Sequence, residues 1–324
     1  MMQFFLTCFL CATLSLHAFI TQRTLIQEIE NLYPGDVDFP TSLANILEQF
    51  HSQESILKES DLEDELYCSL EEASNFIQIG LPADALPYIE HAKWLCMLTK
   101  EERKTIRPYL LPANHPAKPA LDQIFTQPFQ VLKNKDTFRQ AGFQFVVTRP
   151  EQFIQIGKHP SLPGYLVKAY LDCWTINYKN KPAWQWFSQR VKNSKKIRRI
   201  IAARNFKYFS APQKWIYVLP DAETSNAANK NEILLVEEVP LVPYDDNLHA
   251  WKTLITREHL DELFAIVNYV GGSSYRPDNV PYTQTGKFAF IDTEYNNIFP
   301  NYTGITNFLS PEMAAYWIEL TSVH

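Results

Sequence analysis

The chain reads as an α+β protein with an all-helical front, and three observations carry that reading. Charge divides its 324 residues: 1–130 hold 18 acidic against 8 basic side chains, and 131–324 hold 18 against 22. The acidic part spaces its apolar residues as helices do, whereas after about residue 140 they gather into short strand-like runs. There the strands come first and the helices later, the order of an α+β domain rather than a doubly wound sheet. Hydrophobic residues make up 46% of the chain, enough to bury a core, which excludes general disorder. No repeat period suggests a solenoid, and a net charge of −6 excludes a wholly basic nucleic-acid binder while leaving room for a local basic patch.

The N-terminal run Phe4–Phe19 has signal-peptide size, with Ala18 as a candidate last residue, but no Lys or Arg precedes Arg23. Residues 1–18 therefore stand as a cleaved signal or as the first helix, and export and a cytoplasmic location both stay open. After residue 20 no stretch is long and apolar enough to span a bilayer. A helical region is expected over 19–125. Leu62, Leu66 and Leu70 share one helix face, Ser69-x-x-Glu72 has the capping-box pattern, and a further helix is expected over Ala83–Leu98. Four prolines in Pro108–Pro119 predict a linker.

Strands are expected at Phe143–Thr148, Tyr165–Tyr170, Ile216–Leu219, Ile233–Val239 and Phe288–Ile291. A long helix is expected over Pro182–Tyr208, and another over His259–Tyr269 behind a capping Thr256. Few side chains here announce chemistry. The five cysteines lack metal or disulfide spacing, and Cys173 reads as packing more readily than as a nucleophile. No His-Glu-x-x-His or Gly-x-Ser-x-Gly pattern occurs.

Lys168 is different, because it lies inside the apolar run Gly164–Tyr170. An ammonium there either snorkels to solvent or meets an anion, a carboxylate or a phosphate. Asp292 ends the apolar run Phe288–Ile291 behind the Gly286 turn, where it is placed as a metal ligand or as a turn residue. Asn279 starts the hairpin that Asp292 ends, so the two side chains are placed to face one cation. An amide oxygen and a carboxylate, completed by phosphate and water, suit Mg²⁺.

These segments together resemble the protein-kinase-like superfamily. Arg276-Pro277-Asp278-Asn279 is similar to the end of the kinase catalytic loop, and thirteen residues separate Asn279 from Asp292, as in kinases. The strand with Lys168 resembles the strand of the phosphate-contacting lysine, and Ile233–Val239 resembles the strand and hinge that contact adenine. The resemblance covers about residues 140–324. It implies a two-lobed domain, with an N-lobe over 126–240 and a reduced C-lobe over 241–324. It implies ATP and Mg²⁺ as cofactors. Lys168 would contact phosphates, Asn279 and Asp292 would hold the metal, and Glu237 to Val239 would offer backbone groups to the base.

Four departures argue for a pseudokinase or a weak, unorthodox phosphotransferase. Ser274 stands where the catalytic Asp belongs, so Ser274 and the neighbouring Asp278 are the candidates for proton transfer. No Asp or Glu occurs between Asp172 and Asp221 to pair with Lys168; Gln185 and Gln189 lie nearest the expected place. No glycine-rich loop precedes Lys168, since Arg149–Gly164 holds only Gly157 and Gly164. Asp-Thr-Glu replaces Asp-Phe-Gly, and 32 residues follow Asp292, with Ser310-Pro311-Glu312 faintly similar to the motif that closes an activation segment.

The competing class is a non-enzymatic interaction or scaffold protein, a secreted effector among the cases it covers. The window Cys173–Pro220 holds 11 basic and no acidic residues, with Lys192, Lys195, Lys196, Arg198 and Arg199 clustered on the long helix. The face reads first as docking on the acidic front of the chain. A protein partner, and less so a nucleic acid, is the alternative. Asn301-Tyr302-Thr303 is a formal glycosylation sequon.

Overall fold

The computed structural model describes residues 69–76, 100–146, 154–171, 183–219, 232–271, 275–294 and 302–322, with a few single positions beside them. The N-terminal run 1–18, Leu62, Leu66, Cys173, Ser274 and Asn301 lie outside the described residues. The fold is mixed α and β, and the chain divides into two compact units. One comprises Met1–Pro108, Asp122–Phe129 and Val218–Asn226; the other comprises Tyr109–Leu121, Gln130–Tyr217 and Ala227–His324. In the first, residues 69–76 are helical, as is α1 (Lys100–Ile106). Ala85, Tyr88, Ile89 and Ala92 are helical too, and Phe76 stacks on Tyr88 with ring centroids 5.5 Å apart.

The second unit carries the sheet. Short helices α2 (Lys118–Ile124) and α3 (Pro128–Leu132), each divided between the two units, and α4 (Lys135–Gln140) precede β1 (Gln144–Phe145), β2 (Ile154–Lys158) and β3 (Tyr165–Tyr170) in the chain. Then follow α5 (Ala183–Arg204), β4 (Phe209–Ser210), β5 (Lys214–Val218) and β6 (Glu232–Glu237). Five strands form one sheet in the order β1-β2-β3-β6-β5. β3 sits at its centre, antiparallel to β2 and β6, with Lys168 opposite Ile156 on one side and Leu234 on the other.

After the sheet come α6 (Tyr244–Thr253), α7 (Arg257–Val270), β7 (Phe288–Ala289) and α8 (Pro311–Thr321). β7 pairs parallel with β4. Helix α7 begins at Thr256, which forms a capping box with His259. Ser310-Pro311-Glu312 is the start of α8: Ser310 caps it by accepting from the Met313 amide, with Pro311 in its first turn. Ile197 and Ile200 of α5 join Trp251, Leu260, Leu263, Ile266, Phe288, Phe290 and Trp317 in one apolar core. The indoles of Trp251 and Trp317 give their N–H groups to the carbonyls of Val280 and Tyr302, so neither large side chain buries an unmet donor.

Several boundaries differ from the sequence expectation. β1 pairs only over Gln144–Phe145 rather than Phe143–Thr148. β2 was not expected, because Ile-Gln-Ile-Gly-Lys has two apolar residues and a glycine. α6 was not expected either; it holds few apolar residues and starts on Asp245 and Asp246, which suit the positive end of a helix. The proline-rich stretch is less a free linker than a clip. Leu110 bridges Ile216 of β5, and the Leu111 amide donates to the Ile216 carbonyl at 2.8 Å.

Candidate functional site

Lys168 points from the central strand into the interior and is 6% exposed. Its ammonium makes no hydrogen bond or ion pair to a described residue. Burial pushes its pKa down to about 8; the Asp292 carboxylate opposes that shift and Arg190 adds to it. Asp292 is thus an electrostatic neighbour of Lys168, although the two are 124 positions apart in sequence.

Two further cations complete the cluster, and neither was singled out from the sequence as a site residue. Arg190 lies on α5 in the buried series Trp186, Arg190, Asn193, Ile197, and is itself 6% exposed. Its Nη1 donates to Asp292 Oδ1 at 2.8 Å and its Nη2 donates to Glu294. Its Nε is buried without a hydrogen-bond acceptor among the described residues. Lys214 opens β5 and is 2% exposed. Its Nζ donates to the Ile291 carbonyl at 3.0 Å and to Thr293 Oγ1 at 2.7 Å. Burial, and then the nearby Lys168, drive its pKa well below the usual lysine range. For Asp292, burial alone would raise the carboxyl, but Arg190, Lys168 and Lys214 together hold it below the usual value.

Thr293 ties these parts together. Fully buried, it donates its hydroxyl to the Arg190 carbonyl at 2.7 Å and accepts from Lys214, while its own carbonyl accepts from Asn193 Nδ2 at 2.9 Å. One hydroxyl thus uses its donor and one of its acceptor sites. The segment 291–294 is fastened to α5 and to β5 by side chains, not by a strand ladder.

The hairpin expected before Asp292 is present in outline. Gly286 turns it with φ of 80°, Tyr282 bridges Phe288, and the Ile291 amide returns to the Asn279 carbonyl at 3.0 Å. Asn279 and Asp292 are therefore neighbours at the base of the hairpin. Asp278 is half-buried and paired with Arg276 at 3.1 Å. On the hinge-like segment, the Glu237 amide donates to Gln213 and the Glu238 amide to Gly164, so both are spent within the fold. Glu237 also accepts the Gln213 amide through its carboxylate, and Glu238 is ion-paired with Lys158. At Val239 neither the amide nor the carbonyl is hydrogen-bonded to a described residue.

Gly157 has a packing role. A Cβ there would lie 2.6 Å from Phe138 Cε1 and 3.0 Å from Phe143 Cδ1. The glycine admits two stacked rings, whose centroids are 4.0 Å apart.

Magnesium does not fit these residues as they stand. The cation wants open, geometrically free oxygens. Asp292 Oδ1 is occupied by Arg190, Glu294 is held by the same guanidinium, and the amines of Lys168 and Lys214 lie beside them. Among the described residues no group of three or more His, Cys, Asp or Glu could hold a metal ion, and no helix is long and apolar enough to cross a membrane.

Comparison of the chain with protein-family models, curated proteins and solved structures found no match.

Proposed function

We propose that the second unit is a degenerate kinase-like module that binds the phosphates of a nucleotide, with ATP as the reference ligand, and transfers phosphoryl groups weakly or not at all. One observation carries this reading: the ammonium of Lys168, on a residue only 6% exposed and without a hydrogen bond to a described residue, is an electrostatic neighbour of Asp292. Such a charge is costly unless solvent or an anion meets it, and in this reading a phosphate does. The strand order β1-β2-β3-β6-β5 puts the Lys168 strand next to the strand that leads to Val239, whose backbone groups are available to a base. In this reading 126–240 is the N-lobe and 241–324 a reduced C-lobe. Weak catalysis follows from the residues that flank Asn279: Asp278 is engaged by Arg276, and loss of a general base costs roughly 10²–10⁴-fold.

Thermal melting with and without ATP tests it. Ligand at about 100 times its Kd adds about 2.7 kcal/mol of stability. The shift is expected for wild type and lost in Lys168→Met; identical melts with and without nucleotide refute the reading.

A second reading, an interaction module, is favoured by the edge of α5. Lys192, Lys195, Arg198, Arg199 and Arg204 are exposed there, and Lys195 also lies over the Tyr109 ring at 5.4 Å. A polyanionic partner would bind with steep salt dependence, whereas the nucleotide cluster is buried and far less screened.

A further inference from the structure

Resting on the nucleotide reading above, we infer that the site takes the phosphate chain without a divalent cation, with Arg190 and Lys214 supplying the positive charge that a metal would bring. In an ordinary phosphate–metal site, the acidic side chains are there to hold the ion. Here both acids, Asp292 and Glu294, already share one guanidinium.

The electrostatics of the described residues point the same way. Arg190 already neutralises the two carboxylates in part, and the Lys168 ammonium and the Lys214 amine lie beside them. A dication gains little from carboxylates so engaged, whereas a phosphate meets donors. One donor is ready for it: the Lys168 ammonium has no hydrogen bond to a described residue, while the Arg190 guanidinium contributes its charge from the buried side.

Arg190 is also poorly placed to step aside. The Thr293 hydroxyl donates to its backbone carbonyl, one turn along Asn193 holds the Thr293 carbonyl, and Lys214 holds both Thr293 and Ile291. Swinging the guanidinium away would leave its buried charge unmet on the helix and part the mostly buried Glu294 from its partner. Arg190 is thus the residue that competes with a metal for both acids.

The preference should extend to the ligand's own charge. Free ATP carries more negative charge than its magnesium complex, so a site that meets the phosphates with cationic side chains instead of a metal prefers the free form. Inorganic triphosphate, which lacks the base, follows the same order.

Equilibrium binding of ATP and of inorganic triphosphate to the full chain, in excess EDTA and in excess magnesium chloride, decides the matter. The expected result is a Kd in EDTA no larger than in magnesium. Binding in magnesium alone overturns the inference and leaves the nucleotide reading intact. Binding in neither medium overturns the nucleotide reading, and the inference with it. Arg190→Gln supplies a second measurement: affinity in EDTA should fall about tenfold or more, the worth of a hydrogen bond to a charged group. A folded Arg190→Gln with unchanged affinity in EDTA overturns the role given to Arg190. If that variant does not fold, the wild-type comparison stands alone as the deciding result.

Discussion

Arg190 Nη1 lies 2.8 Å from Asp292 Oδ1 across 102 positions of sequence, and this contact sets the character of the site. Arg190 is 7% and Asp292 38% exposed at the side chain, so the pair is half in and half out of solvent. Such a pair adds little net stability, because desolvation offsets the attraction. What it determines is which partners are favoured: a carboxylate already paired with a guanidinium is a poorer cation ligand.

Replacing Lys168 by Met should stabilise the unliganded protein. The amine is buried with its pKa brought down to about 8, and at neutral pH the fold still bears it charged. That burden is on the order of 3 kcal/mol, since each tenfold weakening of proton binding corresponds to about 1.4 kcal/mol. Met fills a similar volume without charge, so a gain of about 1–3 kcal/mol in urea unfolding is expected, together with loss of the ATP-dependent melt. A less stable Lys168→Met protein would contradict this account.

Alkaline pH should stabilise the wild type. The folded pKa of Lys168, about 8, lies below the ordinary lysine value of 10.5. Between those values the unfolded chain keeps a proton that the folded chain has released, so stability rises with pH across that window. The penalty is fully present below pH 8 and gone by 10.5, and Lys214 acts in the same direction. Urea midpoints measured at the two ends of the window should differ in wild type, and differ less in Lys168→Met.

Thr293→Val keeps the shape of the side chain and removes its hydroxyl. The Arg190 carbonyl then loses a donor, and Lys214 keeps only the Ile291 carbonyl. A loss of about 2–3 kcal/mol is expected, the cost of unmet buried polar groups. Thr293→Ser should recover most of it. Equal stability of the Val and Ser variants in chemical denaturation would mean the hydroxyl is not the joint described here.

Gly157→Ala separates packing from ligand binding. The added methyl would meet Phe138, a ring fully buried and stacked on Phe143, so it has nowhere to go. Overpacking of this kind costs about 1–3 kcal/mol. Phe138→Leu in the same chain should restore part of the loss, while ATP affinity of the folded protein stays unchanged. Reduced affinity without reduced stability would instead assign Gly157 to the ligand.

The parts of this protein that sequence made legible are those where a local pattern conflicts with itself. Lys168 stood out as a charge inside the apolar strand Tyr165–Tyr170, whose bounds matched the structure at both ends. The hairpin from Asn279 to Asp292 was legible through its turn glycine. Arg190 and Lys214 were hidden for the opposite reason: eleven cations in one window read as a solvated face, and nothing nearby marks two of them as interior. A signal did exist. Arg190 keeps helical phase with Trp186 and Ile197, and Lys214 alternates with Ile216 on its strand. Periodicity placed them inside, but the carboxylates that make this tolerable lie about a hundred residues away, beyond any local window. The same distance explains β2, a strand made by its neighbours more than by its own composition.

Thr293 gives the site a mechanical property as well as a chemical one. Its hydroxyl and carbonyl both clasp α5, so a shift of that helix near Arg190 and Asn193 would pull on the stretch that bears the two acids.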